Sequence, residues 1–177
     1  MINLELLQSP LEISEIDFRV GMVGKNTKGA FCTILAYKDA RVDIRRLNKA
    51  CGLLGWQKSY SRDNKNCTVS IYDKDNKQWV SKEDTGTESN TEAEKGLASD
   101  SFKRACFNWG IGLELYDFPF LYCKLNEDEF YTDGNKAKAS KRLRPNNWKW
   151  SKEIKADKTC IVAHDGETRR VWAEFKQ

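Results

Sequence analysis

A basic pair near the middle of the chain provides the residues best suited to binding a phosphate backbone. Lys103 and Arg104 are consecutive, and Lys95 precedes Lys103 by two turns of a predicted helix. On a helix of about 3.6 residues per turn, the side chains of Lys95 and Lys103 lie within about 80° of each other. The spacing therefore predicts one basic track, and a cationic helix fixed to a sheet can hold nucleic-acid phosphates.

The neighbouring acids distinguish the two members of this pair. Asp100 lies one turn before Arg104, so an ion pair between them, worth only about 0.3–0.5 kcal/mol, is an alternative role for that arginine. Ser99 and Phe107 lie one turn to either side of Lys103, and no acid is predicted to pair with it. Lys103 is therefore predicted to be the better phosphate ligand.

Nucleotide-driven chemistry is disfavoured by the glycine patterns. A phosphate-binding loop ending at Gly24-Lys25 would need glycine at position 19 and serine or threonine at position 26, but the chain has Arg19 and Asn26. No Gly-x-Gly-x-x-Gly follows a predicted strand, because Gly110-Ile111-Gly112 ends a predicted helix instead of opening one. We therefore expect no ATP-driven activity.

Hydrolytic catalysis has one weak candidate site. Glu83 and Asp84 are candidate metal ligands of a small nuclease. The acidic stretch 73–77 has instead the composition of a turn. The single histidine, His164, gives little support to a cysteine nucleophile. No two cysteines form a Cys-x-x-Cys pair, which disfavours a zinc site. We expect a protein that is not an enzyme and holds no metal or other cofactor, with reduced core thiols at Cys32, Cys51, Cys67, Cys106, Cys123 and Cys160.

The charge is unevenly distributed along the chain. Residues 136–158 hold nine lysines or arginines and only two acids, in a chain whose net charge is +4. A basic block on a mildly acidic body suggests a polyanionic partner, and a solvated basic loop is an equally good interpretation of the charge alone. Aromatic and basic residues interleave at 37–38, 56–60 and 148–150, which suits single-strand binding, although each aromatic taken alone is more often a core residue.

The elements that precede the basic pair are predicted by local signals. Asp39 is a good cap for a helix from Ala40 to about Leu54, with Ile44, Leu47, Cys51 and Leu54 on one face. Three strands in a meander follow at 56–61, 67–72 and 78–85, separated by polar turns.

The helix that carries the basic pair has its own start and stop signals. Thr91 and Glu94 form a Thr-x-x-Glu capping box at the predicted start of the helix, and Gly110 and Gly112 are predicted to terminate it. Its predicted apolar stripe consists of Ala98, Phe102, Ala105, Cys106 and Trp109.

The flanking segments complete the predicted fold. They comprise a short helix at 11–18, a loop at 21–29, strands at 30–37 and 120–125, a polar irregular segment at 126–157, and a hairpin formed by 159–163 and 169–175. The fold class is predicted to be α+β, with a three-stranded antiparallel meander packed on helices and a basic C-terminal extension ending in a β-hairpin. We expect a single-strand annealing core at 1–125 and the extension at 126–177.

The compartment is predicted from what the sequence lacks. No apolar run approaches the roughly 20 residues that span a bilayer. The first residues lack the basic start and apolar core of a signal peptide. We therefore expect no membrane association and a cytoplasmic protein of a bacterial cell.

The order of several short motifs resembles a known family. Ile-Asp-Phe-Arg (16–19) precedes the first strand, and Asp-Ala-Arg-Val-Asp (39–43) opens the first long helix. Leu-Gly-Trp (54–56), Glu-Asp-Thr-Gly (83–86) and the helix ending Ser-Asp-Ser-Phe-Lys-Arg-Ala-Cys-Phe-Asn-Trp-Gly-Ile-Gly (99–112) follow in order. From about Ile16 to Leu121, the chain resembles the Rad-fifty-two superfamily of single-strand annealing proteins, including its phage members of the Sak type.

This resemblance implies a β-β-β-α core that assembles into a homo-oligomeric ring and holds single-stranded DNA in a positive groove. Lys103 and Arg104 match the family's helix-borne DNA contacts, and Arg19 is similar to its arginine before the first strand. Arg41 matches a basic residue that opens the first long helix. The animal members carry a further arginine where this chain has Phe107. The resemblance therefore implies either a less basic groove here or compensation by another residue, such as Lys95 or a lysine of the extension.

The combined expectation is an ATP-independent, phage-encoded single-strand annealing protein of homologous recombination and double-strand break repair. Its predicted DNA-binding residues are Arg19, Arg41, Lys95, Lys103 and Arg104, and its predicted partners are single-stranded DNA, further copies of itself, and a host or phage single-strand-binding protein or exonuclease. Two alternatives stay open: a protein that coats single-stranded DNA without annealing it, and the small nuclease described above.

Overall fold

The computed structural model describes residues 2–87, 93–156 and 158–175, with the backbone alone at 93–95. These residues form two compact units that alternate along the sequence. The first unit contains the residues up to Glu15 together with Lys38–Glu114, and the second contains Ile16–Tyr37 together with the chain from Leu115 onward. The chain therefore enters the second unit, leaves it for the first, and later returns.

The elements lie in the following order along the chain. They are α1 (Leu4–Gln8), β1 (Asp17–Asn26), β2 (Gly29–Tyr37), α2 (Ala40–Cys51), β3 (Trp56–Tyr60), β4 (Asn66–Asp73), β5 (Gln78–Thr85), α3 (Ala93–Phe107), β6 (Leu121–Lys124), β7 (Phe130–Asp133), β8 (Lys136–Ala139), β9 (Lys149–Lys155), β10 (Lys158–Asp165) and β11 (Thr168–Glu174). Short 3-10 helices occur at Ile13–Glu15, Leu113–Asp117 and Pro145–Asn147. The fold is α+β, as the sequence predicts.

The predicted meander is confirmed in the first unit. Strands β3, β4 and β5 form an antiparallel sheet in that order. Cys67, Val69 and Ile71 alternate along β4 and are buried, so one face of the sheet supplies the core. This face packs against α3, which also contacts α2. The sheet is thus the platform on which the helix of the basic pair rests.

Helix α2 begins where the sequence predicts and ends earlier. The carboxylate of Asp39 accepts a hydrogen bond from the backbone N–H of Arg41, which confirms the N-cap. The predicted end near Leu54 is wrong, because Gly52 adopts a φ of 77° and terminates the helix at Cys51. Leu54 is therefore 93% exposed instead of lying on the apolar face.

The apolar stripe of α3 is confirmed at its centre. Phe102, Ala105 and Cys106 are fully buried against the sheet and α2, and Trp109 is partly buried beside them. Gly110 and Gly112 have φ values of 92° and 72°, as the predicted glycine stop requires. The predicted capping box lies outside the described residues at Thr91, and the side chain of Glu94 is likewise not described.

The second unit is built from antiparallel β-structure. Its sheets have the strand orders β1-β2-β6 and β11-β10-β9, and β7 and β8 form a separate hairpin. The ring of Phe18 on β1 stacks on the ring of Trp150 on β9, with 3.6 Å between the centroids. Strands β10 and β11 confirm the predicted C-terminal hairpin, which turns at Asp165–Thr168.

The predictions of a helix at 11–18 and a loop at 21–29 are wrong. Only Ile13–Glu15 forms a 3-10 turn there, and β1 begins at Asp17. Ile16 and Phe18 are buried while Asp17 and Arg19 are exposed, which is the alternation of a strand. Gly21 lies where a Cβ would come within 2.9 Å of the Leu35 side chain, so this glycine allows close packing within a strand instead of marking a loop.

The prediction that 126–157 is irregular is also wrong. This segment contains β7, β8 and β9. The short β7–β8 hairpin turns at Gly134, which has a φ of 58°, and an ion pair joins Asp133 to Lys138 across it. Polar strands of this length have little hydrophobic alternation to reveal them, because most of their side chains are exposed.

The two units alternate along the chain, whereas the predicted division at residue 125 separates a DNA-binding core from an extension. That division concerns function and stays a prediction. In the described parts of the chain, no helix is both long and apolar enough to cross a bilayer.

Candidate nucleic-acid interface

The last two turns of α3 present the basic pair at the edge of the first unit's core. Lys103 and Arg104 follow the buried Phe102, so the packing of one residue fixes the direction of the next two. The side chain of Lys103 is 25% exposed and that of Arg104 is 38% exposed. Both cations are therefore held by the fold and still reach solvent.

The acidic partners of this pair differ from the prediction. The Nζ atom of Lys103 lies 3.9 Å from Oδ1 of Asp100, so the expectation that Lys103 has no acid nearby is wrong. The Nε of Arg104 donates to Oδ1 of Asp84 on β5 at 3.2 Å. The reason is tertiary, since the fold brings β5 alongside α3, and the sequence spacing alone could not show it.

Asp100 also binds the chain that follows β5. Its Oδ2 atom accepts hydrogen bonds from the backbone N–H and the hydroxyl of Thr87, at 3.0 and 3.1 Å. At 3.9 Å, the contact of Lys103 with the other oxygen is longer than a hydrogen bond. The Lys103 ammonium is therefore only loosely held, and a phosphate can replace this contact at little cost.

A buried ion pair lies beneath the basic pair. Lys38 is 1% exposed and Asp43 is 0% exposed, and the Lys38 ammonium binds the Asp43 carboxylate. The same ammonium lies 3.5 Å from the backbone oxygen of Lys103 and 4.2 Å from the centroid of the Phe107 ring. Lys38 thus joins the start of α2 to the last turns of α3.

Phe107 occupies the position at which the sequence resemblance leads one to expect an arginine. Its ring covers the Lys38 ammonium, as the negative face of an aromatic ring favours. An arginine at position 107 would place a second cation against this buried one. The last turn of α3 therefore covers a buried cation with an aromatic ring.

Burial dominates the titration of this pair. It raises the pKa of Asp43 to about 6, while the charge and hydrogen bond of Lys38 act in the opposite direction. Burial likewise lowers the pKa of Lys38, against the attraction of Asp43. Burial raises the pKa of the neighbouring Cys106 thiol, and the Asp43 charge adds to that effect.

Arg41 lies at the start of α2, near the basic pair. Its side chain is 79% exposed, and its Nε donates to Asp39 at 2.7 Å. The hydrogen bonds from Arg41 lower the pKa of Asp39, and the charge of Lys103 contributes to the same shift. The helix start that carries Arg41 is therefore within electrostatic reach of Lys103.

The other two predicted residues cannot be joined to this cluster. Arg19 lies on β1 in the second unit, where it is exposed and its guanidinium lies 5.5 Å from the centroid of the Tyr37 ring. The backbone of Lys95 lies in the first turns of α3, and its side chain is not described.

Glu83 and Asp84 do not converge on a common point. Successive side chains of a strand point to opposite faces. Glu83 accepts hydrogen bonds from Asn66 and Thr68, at 3.0 and 2.7 Å, whereas Asp84 binds Arg104. The two carboxylates of the nuclease alternative therefore have separate structural partners.

The basic block at 136–158 is partly neutralised. Ion pairs with carboxylates engage Lys138, Arg142, Lys155 and Lys158. Surface pairs of this kind are weak and exchange readily, so they reduce the local potential without preventing contact with a polyanion.

Sequence reasoning missed Lys38. In the sequence it stands out only as a basic neighbour of Tyr37, whereas the structure buries it completely. Its burial could have been inferred from its position between an apolar strand and a helix cap, five residues before the acid Asp43.

A meander sheet that carries a helix with partly exposed cations defines an α+β protein suited to binding a polyanion. The chain matches the model of the Rad52/22 family of double-strand break repair proteins over residues 3–129. The match covers most of the chain, so the chain belongs to the Rad52/22 family. At the level of the family, this membership implies DNA repair and recombination with annealing of single strands. A comparison with curated proteins gave no match.

The matched residues include both the sheet of the first unit and the complete helix α3. They end just before β7, so the hairpin β7–β8 and the sheet β9–β11 lie beyond them. Members of the family act on DNA, are generally oligomeric and are generally not enzymes.

Proposed function

We propose that the chain is an ATP-independent single-strand annealing protein that binds the phosphates of single-stranded DNA and acts as a homo-oligomeric ring. In this proposal it is phage-encoded and works in the cytoplasm of a bacterial cell. The observation that carries the proposal is the cation cluster at the end of α3, where Lys103 and Arg104 lie above the buried Lys38 in a chain of the Rad52/22 family.

Annealing limits which parts of DNA a protein can contact. The bases must stay free to find their complements, so the contacts fall on phosphates and carry no sequence information. Binding then weakens as salt increases, with a log–log slope of about 0.7 per neutralised phosphate of a single strand. No nucleotide is consumed, because duplex formation is itself favourable.

Each member of the cluster has a defined part in this proposal. Lys103 exchanges its long contact with Asp100 for a phosphate, and Arg104 contacts a phosphate while Asp84 orients its guanidinium. Arg41 extends the same surface from the start of α2. Lys95 is assigned a phosphate contact from the sequence pattern alone. Arg19 contacts DNA from the second unit. A ring repeats these weak contacts, so avidity gives strength that no single site has.

The basic segment at 136–158 is assigned a secondary part. Lys138, Arg142, Lys155 and Lys158 of this segment lie in ion pairs. In the proposal, the segment therefore makes a second, weaker DNA contact or forms an arm for a host or phage single-strand-binding protein or exonuclease. The core contact on α3 does not depend on it.

The decisive experiment is Lys103→Ala. We expect it to weaken binding to oligonucleotides of unrelated sequence to a similar degree, to lower the salt slope by about 0.7 for each phosphate that is no longer neutralised, and to leave the particle mass unchanged. Fluorescence anisotropy at several salt concentrations measures the first two, and light scattering measures the third.

Lys74→Ala is the matched control, because Lys74 is an exposed lysine of the same unit in the β4–β5 turn. Equal binding by the Lys103 and Lys74 variants would overturn the site assignment. Mixing complementary strands then tests the activity: binding without faster duplex formation would identify a protein that coats single-stranded DNA.

A further inference from the structure

Two buried cysteines of the second unit face each other across neighbouring strands. Cys32 on β2 and Cys123 on β6 are direct partners in the antiparallel register. They are 0% and 1% exposed. The Cα atoms of such partners lie about 4.5–5.5 Å apart, within the range of about 4.4–6.8 Å that a disulfide spans. Their side chains therefore share one face of the sheet, at a backbone separation that a disulfide can span.

A fixed cation lies beside one of these sulfurs. The Nη2 atom of Arg170 on β11 lies 3.6 Å from Sγ of Cys123. The Glu129 carboxylate accepts two hydrogen bonds from this guanidinium, at 2.9 and 2.6 Å. The Cζ atom of Arg170 lies 4.7 Å from the centroid of the Trp148 ring. The side chains of Arg170 and Glu129 are each 7% exposed, so the cation cannot turn away from the sulfur.

The environment distinguishes the two thiols. A hydrogen bond from the Cys32 thiol lowers the pKa of Cys123, and the charge and hydrogen bond of Arg170 add to this, against burial and the Glu129 charge. The same hydrogen bond, together with burial, raises the pKa of Cys32. Cys123 is thus the better thiolate, and Cys32 is the thiol that keeps its proton.

We propose that Cys32 and Cys123 form a reactive dithiol that a small-molecule disulfide oxidises to a bond between β2 and β6, with Cys123 attacking and Cys32 resolving. The proposal does not depend on DNA binding. It separates these two residues from the other buried cysteines, Cys67, Cys106 and Cys160, which are expected to stay thiols.

The chemistry consists of two thiol–disulfide exchanges. The Cys123 thiolate attacks one sulfur of the small disulfide, whose S–S bond breaks and releases a thiolate that takes up a proton. Cys32 then gives up its proton and attacks Sγ of Cys123, which breaks the mixed disulfide and releases the second small thiol. The two protein sulfurs lose two electrons, and the reagent gains them.

Local opening of β6 gives the reagent access. Both sulfurs are buried, so the closed state does not react. Strand β6 has four residues and lies at one end of the β1-β2-β6 sheet, and short edge elements open more readily than a whole unit unfolds. The reaction is therefore expected to be slow and selective.

Oxidised glutathione, applied to the reduced full-length chain, is the probe. We expect a product that lacks two hydrogen atoms, in which non-reducing digestion links the peptides of Cys32 and Cys123. Cys67 and Cys106 are the internal controls, because both are 0% exposed and burial raises the pKa of each. They should remain thiols that can be alkylated after denaturation.

Single variants test the two roles. Cys32→Ser should stop the reaction at a glutathione adduct on Cys123, whereas Cys123→Ser should leave Cys32 unmodified. Circular dichroism confirms that both variants are folded. Glutathione adducts that form equally fast on Cys123 in Cys32→Ser and on Cys32 in Cys123→Ser, or oxidation of the wild-type pair no faster than of Cys67 and Cys106, would overturn the proposal.

The double change Arg170→Gln and Glu129→Gln removes both charges, and the two glutamines remain polar, although the one at position 170 is shorter than arginine. It should slow formation of the adduct on Cys123 at least several-fold in the Cys32→Ser background. An unchanged rate would show that Arg170 does not activate the sulfur.

Discussion

At the residue scale, Lys103 has one weak acidic neighbour, Asp100, in the structure. One oxygen of Asp100 is engaged by Thr87, and the other lies 3.9 Å from the Lys103 ammonium. In the proposed function, the acid therefore competes with a phosphate for Lys103, while it also anchors the chain after β5.

Asp100→Asn should strengthen binding to single-stranded DNA. The amide oxygen still accepts hydrogen bonds from Thr87, but the competing charge is removed, and exposed pairs of this kind are worth about 0.2–1 kcal/mol, or up to about fivefold in affinity. Anisotropy titrations at low salt measure the change. Weaker binding by a variant with an unchanged melting temperature would contradict this interpretation.

The buried pair of Lys38 and Asp43 gives a second prediction for single residues. Lys38→Met should lower the free energy of unfolding by about 3–5 kcal/mol, because Asp43 is left charged and unpaired in the core. Lys38→Met with Asp43→Leu should recover that stability, since apolar side chains of similar volume replace both charges. Denaturant unfolding measures both variants.

The pH dependence checks the same prediction. The pKa of Asp43 is raised in the folded state to about 6, so the folded chain binds this proton more tightly than the unfolded chain does. Its contribution to stability is greatest at low pH and is lost as pH rises from about 4 to about 6. The stability of the wild type relative to the double variant should therefore fall over this range. A constant difference would show that Asp43 titrates normally.

At the scale of elements, Gly86 lets β5 and the start of the following segment pack directly on α3. A Cβ at this position would lie 2.6 Å from the backbone nitrogen of Ser101 and 2.8 Å from the backbone oxygen of Leu97. Both are main-chain atoms, which cannot rotate away.

Gly86→Ala should therefore separate the strand end from the helix. We expect a decrease of about 1–3 kcal/mol in the free energy of unfolding, together with weaker DNA binding, because the contact of Thr87 with Asp100 moves with the backbone. Thr87→Ala is the control, since it removes a side-chain hydrogen bond and keeps the backbone one. Equal stability of the two variants would contradict the close-packing argument.

The elements differ in how well sequence could predict them. Helix α2, the meander and the stripe of α3 have strong local signals, namely the Asp39 cap, polar turns and residues spaced along one helix face. Strand β1 was hidden because Gly21 lies under Leu35, a partner that only the fold supplies. The same holds for the site: Lys103 and Arg104 are visible in sequence, but the Asp84 contact and the burial of Lys38 depend on tertiary packing.

At the scale of the whole molecule, the proposed ring makes assembly and DNA binding separable properties. The purified chain should have a particle mass that is a multiple of its own 20.4 kDa, and adding an oligonucleotide should increase that mass without dissociating the particle. Light scattering with and without DNA measures both. A chain that is strictly monomeric and does not bind oligonucleotides in dilute buffer would contradict the proposal.

The alternation of the two units has a consequence for how the chain is made. A ribosome releases the N-terminal part first, so β1 and β2 emerge long before β6, the strand that pairs with the other edge of β2. The entire sequence from Lys38 to Glu114 is synthesised in between. During that interval β2 has an unpaired edge. Unpaired strand edges can pair with strands of other nascent chains and so promote aggregation. Slowing translation within this stretch should therefore lower the yield of soluble protein more than slowing it after Lys124.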